Sequence, residues 1–181
     1  MNFLSTEIDG AFVVELEPVG DHRGCFARVW SSRTFGERGL ETRFAEWNMS
    51  RTAKKGTIRG LHWQEEPHAE TKLLRCTRGA VQVVIVDLRA DSPTRYRWCG
   101  VELRSDSFRL LYTPAGCAHG FQTLEDDSEV FYAVSSCYAA EAERGLRWDD
   151  PRFGIQWPLA GEVTVSEKDS SWPDFSDHDH H

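Results

Sequence analysis

Runs in which apolar and polar residues alternate recur along the chain, at residues 12–16, 24–30, 57–64, 72–77, 80–88, 98–103, 108–113, 120–124 and 129–135. A period of two is that of a strand resting one face on a core, whereas a helix repeats every 3.6 residues. Gly, Pro and Asp punctuate the runs and few helical stretches separate them, so the pattern predicts an all-β domain, a sandwich or a barrel. Arg78-Gly79, between two runs, reads as a tight turn. Residues 32–38 read as a short helix capped by Thr34 or a neighbouring serine, and residues 141–144 as one further helical turn. No repeat or linker divides the chain, which is expected to form one domain over residues 1–172. The polar stretch 173–181, ending Asp177-His178-Asp179-His180-His181, reads as a frayed tail, with a metal-binding tail as the sharper alternative.

Composition narrows the partners. A formal net charge of −8 argues against a nucleic-acid backbone, which needs clustered Lys and Arg, but leaves room for an anionic small substrate in a locally basic pocket. The five cysteines are odd in number and lack C-x-x-C spacing, so buried free thiols are expected rather than disulfides or a zinc knuckle. No apolar run approaches the ~20 residues of a membrane span. The opening residues lack a secretory pattern, and the expectation is a cytoplasmic protein without a membrane partner.

Chemistry enters at Arg59-Gly60-Leu61-His62. Strand alternation places Gly60, His62 and Gln64 on one face and Arg59, Leu61 and Trp63 on the other, so His62 and Gln64 are expected to enter a barrel interior together. A lone strand histidine is usually structural. Here Lys72 opens the next run, His119 lies in the segment Pro114-Ala115-Gly116-Cys117-Ala118-His119-Gly120-Phe121, and Tyr132 sits in the last core run. Four titratable side chains are costly to bury without partners, so a cleft that uses them is the simpler reading. Proton abstraction beside a carbonyl needs a base, a cation for the developing enolate and an acid to return the proton. His62, Lys72 and Tyr132 suit those roles in that order. The imidazole also needs a carboxylate on its other nitrogen, for which spacing alone leaves Asp169 one candidate among many.

Several segments, in order, resemble the dTDP-4-dehydrorhamnose 3,5-epimerase family over residues 21–172. They include Asp21-His22-Arg23-Gly24-Cys25-Phe26, Asn48-Met49-Ser50, Gly56 to Gln64, Lys72-Leu73-Leu74-Arg75, Pro114 to Phe121, Glu143 to Pro151 and Ser166-Glu167-Lys168-Asp169. The resemblance implies a double-stranded β-helix, or jelly roll of the cupin type, in a homodimer that exchanges N-terminal strands. It also implies action without metal or redox cofactor on a nucleotide-diphosphate 4-keto-6-deoxyhexose. By matched position it makes His62 the base, Asp169 its carboxylate, Lys72 the enolate stabiliser and Tyr132 the acid. Substrate contacts match at Arg23, Asn48, Arg59, His119, Glu143 and Lys168, and Tyr138 matches the residue that stacks on the base. Three positions depart from the family pattern: Arg28 stands in place of Glu, Glu46 in place of Gln, and Ala133 in place of Lys. A guanidinium donates hydrogen bonds where a carboxylate accepts them, so Arg28 and Glu46 bear on which base is bound unless they pair with each other. The rivals are a metal-dependent cupin enzyme, which would want a His-x-His pair absent from the domain, and a non-catalytic sugar-nucleotide-binding module.

Overall fold

The computed structural model describes residues 1–161 and 163–176; the expected histidine-rich end at 178–181 lies outside them. In chain order the elements are β1 (Asn2–Ser5), β2 (Phe12–Glu15), β3 (Val19–Asp21), β4 (Gly24–Phe26), α1 (Ser32–Gly36), β5 (Glu46–Thr52), β6 (Ile58–Gln64) and β7 (Lys72–Arg78). There follow β8 (Ala80–Asp87), β9 (Trp98–Arg104), β10 (Arg109–Thr113), β11 (Cys117–Thr123), β12 (Ser128–Val134), β13 (Glu143–Gly145) and α2 (Glu167–Ser170). Six strands form one sheet in the order β1-β2-β10-β7-β12-β5, and five form the other in the order β13-β6-β11-β8-β9. From β5 to β8, and again from β9 to β13, each strand lies in the opposite sheet from the one before it. That shuttling makes the domain a jelly roll. The hairpin β3–β4 stands apart as a separate two-stranded ribbon.

Leu74, Cys76, Val81, Val83, Ile85, Leu103, Leu111, Phe121 and Val130 fill the space between the sheets. On β8 the intervening Val84 and Val86 face outward, where Leu146, Phe153 and Trp157 from the C-terminal segment cover them. Both faces of β8 are therefore buried, which explains its nearly unbroken β-branched run. The outer face of the six-stranded sheet is covered in part by α1, whose Phe35 is fully buried with Val14, Leu73, Leu110 and Tyr112. Burial of a side chain of that size contributes roughly 1.5–3 kcal/mol. Ser31 caps α1 by accepting the Thr34 N–H.

Arg78-Gly79 is the turn expected, with Gly79 at a φ of 70°; it carries the chain from one sheet to the other. Residues 141–144 are not helical: a turn at 140–142 leads into β13, which adds an edge strand to β6. Phe175 packs edge-on against Tyr96 and Phe153, so packed structure continues past the expected boundary at Trp172. Cys76, Cys99 and Cys117 are buried free thiols as expected, whereas Cys25 and Cys137 are exposed. Burial pushes the Cys117 thiol up to about 12. At the end of β8 the buried Asp87 accepts hydrogen bonds from Arg89 (2.8 and 2.9 Å), Ser92 (2.5 Å) and Thr94 (2.6 Å). This knot clasps the loop that follows β8.

Candidate active site

At one mouth of the barrel the two sheets part around a cleft with two lobes. The larger, about 530 Å³, is lined by Ser50, Arg59, His119, Phe121, Ser166 and Asp169 among others. The smaller, about 270 Å³, is lined by Glu46, Asn48, Gln64, Glu70, Tyr138 and Glu143. Three residues line both lobes: His62, Lys72 and Tyr132. They come from β6, β7 and β12, strands of both sheets, so the jelly roll itself brings them together.

Arg59 shares the larger lobe with His62, contrary to simple alternation. Opposite β11, His62 is in register with His119 and Arg59 with Phe121, so three steps along β6 match two along β11. This bulge rotates Arg59 onto the cavity face. Gly60 sits inside it at a φ of 105°, and a Cβ there would lie 2.7 Å from the His119 carbonyl oxygen. Only glycine fits that approach.

His62 Nε2 lies 2.6 Å from Asp169 Oδ1. Asp169 comes from α2, where Ser166 caps the helix by accepting the Asp169 N–H at 3.1 Å. Its other oxygen accepts the Gly60 N–H at 3.1 Å. Burial pushes the Asp169 carboxyl up, but the bonds from His62, Gly60 and Ser166 outweigh it and hold the group below the usual carboxylate range. An ionised Asp169 only accepts, so it fixes the proton on Nε2 and leaves His62 Nδ1 as the basic nitrogen. The short helix is positioned by a close contact: Trp172 packs so tightly on Gly145 that a Cβ at 145 would lie 1.9 Å from the indole. Gly145 is in register with His62 on the adjacent strand.

Lys72 is buried and pairs with Glu70 at 2.7 Å. His119 is also buried, and among the described residues its Nε2 has no hydrogen-bond partner. Burial first, then the charges of Lys72 and His62, push its imidazole well below the ordinary 6.5, so it is neutral at physiological pH. Burial likewise raises the Tyr132 phenol, with Glu70 and Glu46 adding to the effect and Arg59 opposing it. The cleft thus holds an oriented imidazole, an ammonium, a protonated phenol and a neutral second imidazole. Among the described residues no group of three His, Cys, Asp or Glu side chains is arranged to hold a metal ion.

A family model described as dTDP-4-dehydrorhamnose 3,5-epimerase matches residues 5–177. The chain belongs to this epimerase family. A dTDP-4-dehydrorhamnose 3,5-epimerase of Sinorhizobium fredii is 44% identical over 173 residues, 96% of this chain and 89% of that one. Among solved structures, the Bacillus anthracis dTDP-4-dehydrorhamnose 3,5-epimerase with TDP and PPi bound aligns at a TM-score of 0.91 and 38% identity, covering 96% of this chain and 99% of its own. The Legionella pneumophila dTDP-6-deoxy-D-glucose-3,5-epimerase in complex with dTDP-4-keto-L-rhamnose aligns at 0.88 and 35% identity, covering 94% and 90%.

Against this epimerase framework the remaining residues divide. Glu143 accepts from Lys168 Nζ at 2.6 and 2.7 Å and from the Tyr138 hydroxyl at 2.7 Å, tying three of the expected contacts together at the rim. Burial works against the Glu143 charge, but Lys168 and Tyr138 hold the carboxyl below its usual range. Arg59 is steadied by a 2.9 Å bond from Nε to Thr52. Gln64 lines the smaller lobe, yet its amide is committed to protein: it donates to the carbonyls of His68 and Cys137 and to Glu70, and accepts the Ala139 N–H at 2.6 Å. Gln64, expected from the sequence as a substrate-binding residue, thus lines the smaller lobe while bracing the chain around it.

Arg23 and Arg28 are exposed and line neither lobe; Arg23 on the β3–β4 ribbon pairs with Asp21 at 2.6 Å. No ion pair joins Arg28 to Glu46, since Arg28 lies outside the lobes and Glu46 lines the smaller one. Sequence reasoning missed Glu70, Thr164 and Val165 and gave Ser50 and Ser166 no role of their own, although all line the cleft. Glu70 carried one legible signal: it stands two residues before a lysine in a run otherwise bound for burial.

Proposed function

We propose that the protein is an isomerase that epimerises a nucleotide-linked 4-keto-6-deoxyhexose, dTDP-4-dehydro-6-deoxy-D-glucose or a close relative, at C5, C3 or both. One observation carries the reading: the residues common to both lobes, His62, Lys72 and Tyr132, are a base, a cation and an acid. His62 Nδ1 takes the proton from the carbon beside the ketone, and the electron pair of that C–H bond moves into an enolate. Lys72 donates to the enolate oxygen. Tyr132 then protonates the carbon from the opposite face, the carbonyl re-forms, and solvent returns both groups to their starting protonation. Proton transfer leaves the oxidation state of the sugar unchanged, so no redox cofactor enters. Positioned proton transfer supplies about 10²- to 10⁴-fold, and a fixed cation at the oxyanion adds a comparable factor.

Arg59 suits the diphosphate, because a guanidinium offers paired donors to its oxygens. Tyr138, 61% exposed at the rim, offers a ring face for the base. The working form is a homodimer in which the partner's ribbon brings its arginines to the cleft. Two observations support this: Arg23 and Arg28 lie outside the cleft of their own chain, and Trp47, Met49 and Phe131 are exposed on the six-stranded sheet. The buried free thiols and the absence, among the described residues, of a helix long and apolar enough to cross a membrane fit a cytosolic setting.

The test is incubation with dTDP-4-keto-6-deoxyglucose in deuterated water, with label at C3 and C5 followed by NMR. Deuterium entry accompanied by inverted product is expected, and His62→Ala lowers it by about 10²-fold or more while dTDP binding persists. Wild-type protein that binds dTDP but exchanges neither carbon overturns the proposal.

A further inference from the structure

A buried ammonium is stable only if an anion lies against it, and truncating that anion leaves an uncompensated charge. Lys72 meets this condition through a residue outside the base, dyad and acid already assigned. Its Nζ lies 2.7 Å from Glu70 Oε1, and the Lys72 and Glu70 side chains are each 10% exposed. The second Glu70 oxygen accepts from Gln64 Nε2 at 3.3 Å. Gln64 is itself held by the carbonyls of His68 and Cys137 and by the Ala139 N–H. The carboxylate is therefore gripped at both oxygens by groups with little freedom to move.

The surroundings of Lys72 are otherwise unfavourable to a cation. His62 on β6 and His119 on β11 line the same lobe, with the Arg59 guanidinium beyond them, and Tyr132 on β12 is a neutral phenol. Of the other carboxylates lining the two lobes, Asp169 is engaged by His62, Glu143 by Lys168, and Glu46 lies on β5 in the smaller lobe. Glu70 is the anion in contact.

We propose that Glu70 is a positioning residue for the epimerisation, one that acts through Lys72. An ammonium has three N–H donors. Glu70 fixes one of them and thereby aims the other two into the space between His62 and Tyr132, where the enolate oxygen forms. Such preorganisation avoids reorienting the cation during the reaction. The same carboxylate disfavours ionisation of the neighbouring Tyr132, which keeps that phenol a proton donor.

This inference rests on the epimerase reading, and a double-mutant cycle separates the two. Glu70→Gln keeps the side-chain shape and one oxygen for Lys72 but removes the charge and gives up the second acceptor that Gln64 Nε2 uses. Expected are retained folding, unchanged dTDP affinity by calorimetry, little change in KM, and a fall in kcat for deuterium exchange of about 10- to 100-fold. Lys72→Met falls further, and Glu70→Gln/Lys72→Met falls no further than Lys72→Met alone, because Glu70 has nothing left to position. Independent, multiplicative losses overturn the role of Glu70, as does normal exchange by Glu70→Gln. A parallel drop in dTDP affinity and exchange assigns Glu70 to general architecture and also overturns it. Absence of exchange in the wild type overturns the epimerase reading and this inference with it.

Discussion

Tyr132 has its ring half buried in the cleft and its hydroxyl kept protonated, by burial foremost and then by the carboxylates of Glu70 and Glu46 against the pull of Arg59. It is suited to give a proton and poorly suited to take one. Tyr132→Phe should therefore still wash deuterium into the carbon beside the ketone, because the proposed base His62 and enolate stabiliser Lys72 remain, while inverted product falls by about 10²-fold or more. Equal loss of wash-out and inversion, measured by NMR on one sample, removes Tyr132 from the acid role. Residue chemistry made His62, Lys72 and Tyr132 legible, since few side chains can serve as base, cation and acid. It could not choose Asp169 without the family resemblance, because the two partners are 107 residues apart and no periodicity links them. Nor did it find Glu70, whose meaning depends on how deeply Lys72 is buried.

At the scale of elements, the pattern named most of the core strands and missed β5. That strand alternates cleanly, but in the inverse sense: Glu46, Asn48 and Ser50 turn toward the cleft, and Trp47, Met49 and Arg51 turn away. A reading that expects apolar residues inside fails where the inside is a polar cavity. The bulge in β6 defeated alternation in a related way, by moving Arg59 to the face of His62. Both exceptions fall at the site. The contact between β13 and the residue just past α2 yields a further expectation. Gly145→Ala drives a methyl into Trp172, so either the indole or α2 must shift, and the shift carries Asp169 off His62. Exchange should fall roughly 10²-fold with the fold retained, since misplacement by about 1 Å suffices for that. Adding Trp172→Ala makes room and should recover much of the loss; failure of that rescue, measured as exchange rate per folded molecule, rules out the positioning role of the contact.

For the molecule as a whole, Asp87 gives acid sensitivity a definite source. Burial works against its charge, yet Arg89, Ser92 and Thr94 lower it from 3.8 to about 2. A carboxyl depressed in the folded state binds fewer protons there than in the unfolded chain, so its stabilisation is full above 3.8 and is lost as pH falls toward about 2. Asp87→Asn removes that part. Urea unfolding at about pH 7 and pH 2 should show the difference in stability between the two conditions shrinking by on the order of 2 kcal/mol relative to wild type. An unchanged difference assigns the acid sensitivity elsewhere.

The sequence by itself determined that the chain is β-rich and that His62, Lys72 and Tyr132 are side chains of the types acid–base chemistry needs, because alternation and side-chain type are local properties. Only the tertiary structure decided that Asp169 meets His62, that Glu70 holds Lys72, that Arg59 joins them and that Arg23 and Arg28 do not. Those facts depend on which strands cross the mouth of the barrel, on one extra residue in β6 and on a short helix returning from the end of the chain. Contacts of that kind are set by the packing of distant segments, and no run of neighbouring residues encodes them.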